Sequence, residues 1–250
     1  MAAESERSVK RALSLLQCFD LDTPALTLQE LTKKLGLSPS TTLRLAATLV
    51  DLGFLEKTRA KAYSLGNQVY LMGAVARAHF NLEREVLPYM LTVRDACKEA
   101  VSLYGMEGGY RVCYQHVESL STMRCVVRVG DRFPIWAGAA GKCLLAYTDP
   151  AVVEREIAKA LRITDTTIID RERFLAELAD VRRKNGEAVS YGEREAGVVA
   201  MAVPVWEGKE RVAYALSIAA PASRVNDEIL RRFYALSWTA AAAIERRLFP

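Results

Sequence analysis

The hydrophobic positions at the start of the chain recur at the spacing of an α-helix. Positions three or four residues apart lie on one side of a helix, so this run predicts a first helix with one buried face. Ser5 has the residue type of an N-cap, and the helix is expected to end before Asp20. The expected buried face consists of Val9, Ala12, Leu13, Leu16 and Phe19.

Two further short helices are predicted on either side of a tight turn. Thr27 is followed three residues later by Glu30, which is the pattern of a capping box, and Gly36 is expected to end that helix. Ser38 then supplies an N-cap, and Pro39 takes the first helical position, where a missing N–H costs nothing. Two helices joined by so short a turn predict a helix-turn-helix, whose second helix reaches residue 53.

A short hairpin is predicted directly after these helices. Residues 54–56 and 62–65 have the composition of strands, and the turn between them, residues 57–61, contains three basic side chains. A hairpin in this position is the wing of a winged helix. The pattern therefore predicts a winged helix-turn-helix at the N-terminus, a class of domain that binds DNA.

The rest of the chain mixes helical and strand-like segments. Residues 67–79 and 81–100 predict helices, the first of which links the two halves. Further helices are predicted at 141–147, 150–161, 171–185 and 227–248. Strands are predicted at 101–106, 111–117, 123–129, 188–191, 200–206 and 211–218. Glycine turns at residues 108–109 and 207–209 join neighbouring strands as hairpins, which predicts an antiparallel sheet with helices on its faces.

Charge is distributed unevenly between these two parts. Residues 1–80 contain ten Lys or Arg against seven Asp or Glu, so they carry a net charge of +3 of the total +4. The chain of 250 residues is 51% hydrophobic and 26% charged, which excludes disorder and fibrous classes. The imbalance is small, but it favours the N-terminal part as the partner of a polyanion.

Several other classes of protein are excluded by what the sequence lacks. The longest apolar run, residues 197–206, is interrupted by Pro204 and is far short of a membrane span. The first residues are acidic where a signal peptide needs basic and then apolar residues, so we expect a cytoplasmic protein with no membrane partner. Five cysteines and two histidines are scattered without the spacing of metal ligands, so neither a disulfide framework, a metal site nor a cofactor is expected.

Several short strings, taken in order, resemble the IclR family of bacterial transcription regulators. Residues 7–16 are similar to the family's first helix, 37–45 to its recognition helix and 63–66 to the end of its wing. In the second half, the strings that follow the family's order and spacing are 117–119, 138–142, 197–204 and 215–217. Each string is weak alone, but their collinearity over nearly the whole chain is specific.

This resemblance implies an α+β protein with two domains and a linker. Residues 1–66 would be the winged helix-turn-helix, 67–80 a linker helix, and 81–250 a GAF-like effector-binding domain with an antiparallel sheet flanked by helices. Such regulators bind palindromic double-stranded operator DNA as homodimers or tetramers and respond to a small metabolite. We therefore expect a ligand-responsive repressor or activator of a catabolic operon.

A recognition helix needs short polar donors and a long cation that reach the major groove. The hydroxyls expected to contact DNA are Ser38, Ser40, Thr41 and Thr42. Arg44 is the side chain best able to read guanine, and Arg59 and Lys61 on the wing are expected to follow the backbone or enter the minor groove. Family members often have a lysine where this chain has Pro39, so one phosphate contact is expected to be missing.

The string 138–143 is not a phosphate-binding loop, because only two residues separate its glycines and Cys143 follows the lysine. The resemblance instead makes Ala139 and Ala140 backbone donors to an effector carboxylate. It places Thr122, Cys125 and Phe133 in an apolar wall, with Ser217 as a hydroxyl partner.

The chain departs from this pocket pattern at three positions. Ser190 stands where small-acid-binding members have an acidic residue. Ala200 stands where they have a cysteine, and Ala219 where they have a residue with a hydroxyl. These losses remove partners for a very polar ligand, whereas Phe133 and Trp136 add flat apolar surface. The predicted effector is a small organic acid with an apolar or aromatic body.

Two rival functions remain open at this stage. One is an enzyme on the GAF-like scaffold that uses Cys143 or the region of Glu193; the other is a stand-alone sensor whose helix-turn-helix binds protein. Residue statistics favour Cys143 as a buried small hydrophobe and favour Glu193, Arg194 and Glu195 as solvated turn charges. We therefore expect a regulator with no catalytic residues.

Overall fold

The structure, a computed structural model, describes residues 2–79, 82–122 and 126–250. The chain separates into two compact units, Met1–Asn81 and Leu82–Pro250. Within the described ranges, no helix combines the length and apolar character needed to cross a membrane.

The first unit consists of four helices and a small sheet. Its elements in chain order are α1 (Ala2–Leu16), β1 (Ala25–Leu26), α2 (Leu28–Leu35), α3 (Pro39–Asp51), β2 (Leu55–Lys57), β3 (Tyr63–Leu65) and α4 (Asn67–His79). The three strands are antiparallel in the order β1-β3-β2. Leu15, Leu31, Leu49 and Leu55 lie in its core.

The predicted helix-turn-helix is confirmed down to its caps. Thr27 and Glu30 form the capping box, and Gly36 ends α2 in the left-handed conformation at φ 63°. Ser38 caps α3 by accepting a hydrogen bond from the Thr41 N–H, with Pro39 in the first turn. The predicted wing is also present as the hairpin β2–β3.

Two expectations for this unit are wrong. α1 already begins at Ala2, so Ser5 is not its N-cap, and Val9 and Leu13 are exposed. Leu15 takes the central buried position instead. β1 was not predicted, because a strand of two residues has no hydrophobic period and exists only through its pairing with β3.

The second unit is a six-stranded sheet covered by helices on both faces. Its elements in chain order are α5 (Leu82–Cys97), β4 (Ala100–Glu107), β5 (Tyr110–Val117), β6 (Arg132–Pro134), α6 (Ala139–Leu145), α7 (Pro150–Ile157), α8 (Arg171–Arg183), β7 (Ala188–Tyr191), β8 (Val198–Glu207), β9 (Arg211–Pro221), a 3-10 helix (Ala222–Arg224) and α9 (Asp227–Leu248). All pairs are antiparallel, as predicted for the main sheet. The order of the strands across the sheet is β6-β5-β4-β9-β8-β7.

The sheet separates two cores, because successive residues of a strand point to opposite faces. Leu103 of β4 lies in the core under α5 and α9, and its neighbour Tyr104 lies in the core under α6, α7 and α8. The predicted hairpin turns are confirmed at Gly108 and Gly208, which have φ of 56° and 71°.

Several segments differ from the prediction by a few residues, and three of the differences are informative. α5 ends at Cys97 rather than residue 100, since Lys98 is left-handed at φ 65° and β4 begins at Ala100. α7 ends at Ile157 rather than 161, where the backbone tightens into three-residue turns. Of the strand predicted at 123–129, residues 126–129 are not in a strand and 123–125 lie outside the described residues; the nearby strand is β6.

Candidate functional site

A cluster of hydroxyls marks the exposed opening of α3. The Ser38 Oγ lies 2.8 Å from the Thr41 Oγ1 and 3.2 Å from the Ser40 Oγ. Ser38 and Ser40 are exposed and Thr41 is half-buried. These three predicted contact residues therefore share one accessible turn at the N-terminal end of the helix, where backbone N–H groups favour anions.

Thr42 does not belong to this surface. Its side chain is fully buried, and its hydroxyl donates a hydrogen bond to the Ser38 carbonyl oxygen at 3.1 Å. The prediction that Thr42 contacts DNA is therefore wrong; the threonine holds the first turn of α3 against the core.

Three exposed cations of the first unit lie on α3 and on the turn of the wing. Arg44 is exposed on α3, and Arg59 and Lys61 are exposed on the turn of the wing. That turn is closed by hydrogen bonds from the Thr58 N–H to the Ala62 carbonyl and from the Lys61 N–H to the Thr58 carbonyl. None of the three cations forms an ion pair with another residue in the described ranges.

The second unit contains a cavity over the sheet face that carries α6. A row of small side chains crosses four neighbouring strands: Ala100 pairs with Ala219, Ala219 with Ala200, and Ala200 with Ser190. Small side chains leave room above the sheet, and all four residues line the cavity. The enclosed space is about 30 Å³, which is enough for about two water molecules.

Four of the predicted effector residues meet in this cavity. They are Ala139, Ser190, Ala200 and Ser217. The Ser217 hydroxyl is already engaged, because it donates to the Met201 carbonyl at 2.7 Å. Their convergence from β7, β8, β9 and α6 depends on the sheet order, which the sequence pattern alone did not provide.

The aromatic wall is not where it was predicted. Phe133 lies one layer behind the cavity, with its ring against the guanidinium groups of Arg111 and Arg194 at 4.9 and 4.5 Å. Trp136 packs against the core, and its indole N–H donates to the Leu161 carbonyl at 3.3 Å. Neither ring lines the cavity, so the prediction that they form its surface is wrong for both.

Of the other three predicted effector residues, the two that the structure describes also lie elsewhere. Ala140 is buried in the core of α6 and does not line the cavity. Thr122 is exposed and is not among the lining residues. Cys125 lies outside the described residues.

Arg111 is the principal residue that the sequence reasoning missed. It lines the cavity from β5 and is only 5% exposed. Its guanidinium carbon lies 4.8 Å from the centre of the Tyr104 ring, and its Nε has no hydrogen-bond partner among the described residues. Burial lowers the pKa of Arg111, and the Arg194 charge lowers it further, whereas Tyr104 raises it. The two-residue period of β5 places Arg111 and Cys113 on the same inward face, and this period was the signal that could have identified Arg111.

A buried ion pair lies beside Arg111. Glu193, which was interpreted as a solvated turn charge, is 4% exposed, so that interpretation is wrong. Its Oε1 lies 2.6 Å from the Nζ of Lys142, and its Oε2 accepts a hydrogen bond from the Gly138 N–H at 3.0 Å. Lys142 also reaches the Glu177 Oε2 at 3.1 Å. The chain's own carboxylate thus occupies the start of α6.

Two further polar groups complete the lining. The Ser102 Oγ lies 2.9 Å from the Nδ1 of His116, on the neighbouring strand β5.

Cys143, the thiol considered as a nucleophile, is fully buried in the core, and burial raises its pKa. In the ranges that the structure describes, no group of three or more His, Cys, Asp or Glu is placed to hold a metal ion.

Comparison with known proteins agrees with this architecture. The model of the bacterial transcriptional regulator IclR C-terminal domain matches residues 74–246, and that of the IclR helix-turn-helix domain matches residues 8–59. The HTH-type transcriptional regulator KipR of Bacillus subtilis is 29% identical over 244 residues, which cover 97% of each chain.

Solved structures give the same result. An IclR transcriptional regulator from a Silicibacter species superposes with a TM-score of 0.89 at 28% identity, over 96% of this chain and 95% of that one. An IclR homologue from Microbacterium hydrocarbonoxydans, complexed with 4-hydroxybenzoate, has a TM-score of 0.76 at 25% identity, over 96% and 98%. The predicted fold class is confirmed. The chain belongs to the IclR family, whose members are ligand-responsive, DNA-binding transcription regulators of bacteria.

Proposed function

We propose that residues 1–66 bind double-stranded, palindromic operator DNA, that residues 67–80 act as a linker helix, and that residues 81–250 sense a small organic acid. Occupation of the cavity by the acid then changes the affinity for the operator. The observation that carries this proposal is a pair of surfaces: an exposed hydroxyl and cation surface in the first unit and a cavity with a buried arginine in the second.

The DNA contacts follow from the surface of α3 and the wing. Ser38, Ser40 and Thr41 present hydroxyls and backbone N–H groups to phosphate, and Arg44 reaches a base edge in the major groove. Arg59 and Lys61 contact the backbone or the minor groove. Within the part of the chain that the structure describes they form no ion pairs, which supports this role, since each is then available to replace a counterion on the DNA.

The effector assignment follows from the charge and lining of the cavity. A buried guanidinium favours an anion, and the alanine floor favours an apolar body. The homologue complexed with 4-hydroxybenzoate supports an aromatic acid as one candidate. The turn between β7 and β8 contributes Glu193, Arg194 and Glu195 to the lining, so it forms one wall of the cavity. Gly192 and Gly197, with φ of 73° and 78°, bracket that turn.

A homodimer or tetramer fits a palindromic operator, because a two-fold assembly matches a two-fold site. The exposed apolar side chains of α4 support such an assembly: Tyr70 and Val75 are the most exposed of them, with Leu71 and Met72 beside them in the sequence.

We further propose that the chain is a cytoplasmic regulator without catalytic activity that controls a catabolic operon. The buried Cys143 is protonated at neutral pH, because burial raises its pKa, and a thiol in that state is a poor nucleophile. Both carboxylate oxygens of Glu193 are engaged, one by the Lys142 ammonium and the other by the Gly138 N–H. An enzyme on this scaffold would lack an activated group at either position that the sequence suggested.

The DNA assignment is tested with Arg44→Ala in the full chain. Loss of a bidentate contact to guanine is expected to weaken operator binding by about 1–3 kcal/mol, or roughly 5- to 150-fold, in fluorescence anisotropy. Lys209→Ala is the control, because Lys209 is an exposed cation on the β8–β9 turn of the other unit. Equal affinities of the two variants would contradict the assignment of α3 as the recognition helix.

The effector assignment is tested by isothermal titration of the full chain. The panel contains aromatic acids and short aliphatic acids, including glyoxylate and pyruvate. We expect binding by acids with an apolar or aromatic body. Tight binding of glyoxylate or pyruvate, with no aromatic binder, would contradict the assignment.

A further inference from the structure

The charges around the cavity balance with one exception. Glu193 is paired with Lys142 at 2.6 Å, and Glu195 is paired with Arg194 at 3.1 Å. Arg111 has no carboxylate partner in the ranges that the structure describes. One positive charge therefore remains uncompensated at the cavity wall.

This uncompensated charge is buried and lacks a hydrogen-bond partner at its Nε. The faces of Tyr104 and Phe133, at 4.8 and 4.9 Å, offset part of the cost by cation–π attraction. They do not satisfy the Nε donor, and an unsatisfied buried donor is destabilising. A buried donor without an acceptor in the protein is retained where a molecule outside the chain, such as a water or a ligand, supplies the acceptor.

The position of Arg111 directs it to the cavity rather than to the core. It is among the lining residues, and its Nη2 would lie 3.4 Å from a Cβ placed on Gly138. Gly138 donates its N–H to Glu193, so the start of α6 already holds a carboxylate. A second carboxylate at that helix end would meet the charge of Glu193 at close range.

Resting on the proposed function, we propose that Arg111 is the anchor for the carboxylate of the effector, and that the cavity takes organic monocarboxylates. The guanidinium forms a two-pronged pair with the acid, its Nε among the donors. The apolar body lies over Ala100 and Ala219, the floor of the cavity. Glu193 is a positioning residue that closes the start of α6 to anions.

The test compares each acid with its neutral amide of the same shape. The probes are benzoate with benzamide and hexanoate with hexanamide, titrated calorimetrically into the full-length protein. We expect at least one acid to bind, and its amide to bind roughly 10- to 150-fold more weakly, the range expected for a charged hydrogen bond. Arg111→Met should lose the same factor for that acid and leave the amide unaffected.

Arg132→Met is the matched control. Arg132 also lies over an aromatic ring, Tyr110 at 4.6 Å, but it is exposed and does not line the cavity. This variant should bind the acid like the wild type. Arg111→Lys keeps the charge but loses the planar fork, so it should bind the acid with intermediate affinity.

A structural role for Arg111 would give a different result. If Arg111 only supports the fold, Arg111→Met should lower the melting temperature of the ligand-free protein. If Arg111 is the anchor, the melting temperature should be equal or higher, because methionine fills the space between the rings without an unpaired charge. Should Arg111→Met fail to fold, the structural role is favoured, and retention of full acid affinity by Arg111→Lys overturns the proposal.

Three results with folded protein would overturn the proposal that Arg111 anchors the carboxylate. They are equal binding of acid and amide, unchanged acid affinity of Arg111→Met, and no binding of either acid by the wild type. Operator binding without acid separates these from a failure of the proposed function: wild type and Arg132→Met should bind the operator equally. If the wild type does not bind the operator, the proposed function as a DNA-binding regulator is contradicted.

Discussion

The buried Lys142 offers a sharp test of the electrostatics beside the cavity. The side chain is 2% exposed, with its ammonium 2.6 Å from Glu193 and 3.1 Å from Glu177. Lys142→Met removes the charge and leaves the Glu193 carboxylate buried, with the Gly138 N–H as its one remaining hydrogen-bond donor among the described residues. The fold should therefore lose stability through an uncompensated buried anion.

The magnitude follows from the burial of the two partners. Breaking a buried pair by removing one partner costs about 3–5 kcal/mol. In a unit of this size each kcal/mol shifts the melting temperature by about 2–4 °C, so the expected drop is roughly 6–20 °C. Glu177 is 39% exposed, so Glu177→Gln should cost less than about 1 kcal/mol. The double change Lys142→Met with Glu193→Gln removes both charges and should recover most of the loss.

Urea unfolding of the full chain, followed by tryptophan fluorescence, measures these differences. The three tryptophans, Trp136, Trp206 and Trp238, all lie in the second unit and report on its unfolding alone. If Lys142→Met unfolds within about 1 kcal/mol of the wild type, or if Glu177→Gln is the more damaging change, the reasoning from the buried pair is refuted.

Further predictions concern close packing and the buried thiols. A Cβ on Gly141 would lie 1.9 Å from the Ile135 carbonyl oxygen, so Gly141→Ala should cost about 1–3 kcal/mol or more in urea unfolding followed by far-UV circular dichroism, which reports on both units. Gly73→Ala, with open space around it in α4, should not destabilise its unit in the same assay, and the reverse order would contradict the packing. Burial raises the pKa of Cys113 to about 12 and also raises that of Cys143, from an ordinary value of 9.0. Unfolded thiols then release protons first, so stability should fall as the pH rises above about 9; a melting temperature that is constant from pH 7 to pH 10 would contradict this contribution.

The parts of the fold that the sequence predicted are those set by local chemistry. Thr27 with Glu30, and Ser38 with Pro39, fix helix starts through hydrogen bonds within four residues, so spacing alone identifies them. Gly108 and Gly208 mark hairpins because each turn needs a positive φ. Such local signals were sufficient for the helix-turn-helix, the wing and the hairpins of the main sheet.

The parts of the site that the sequence missed depend on contacts between distant segments. Lys142 and Glu193 are 51 positions apart, and nothing near Glu193 in the sequence distinguishes it from a solvated turn charge. Arg111 becomes a cavity residue only when β5 is placed beside β4 and β6. Phe133 and Trp136 were assigned to the surface of the cavity by residue type, whereas packing turns one behind Arg111 and the other towards Leu161.

The central claim is that this chain binds a specific operator and that an acid changes this binding. The most direct measurement is the affinity of the full chain for DNA from upstream of its own and neighbouring genes, against a scrambled fragment, with and without an acid that binds the cavity. We expect binding at least about 1,000-fold tighter than to scrambled DNA, falling as salt rises and shifting when the acid is added. Equal affinity for both fragments at every salt concentration, unchanged by the acid, would contradict the account.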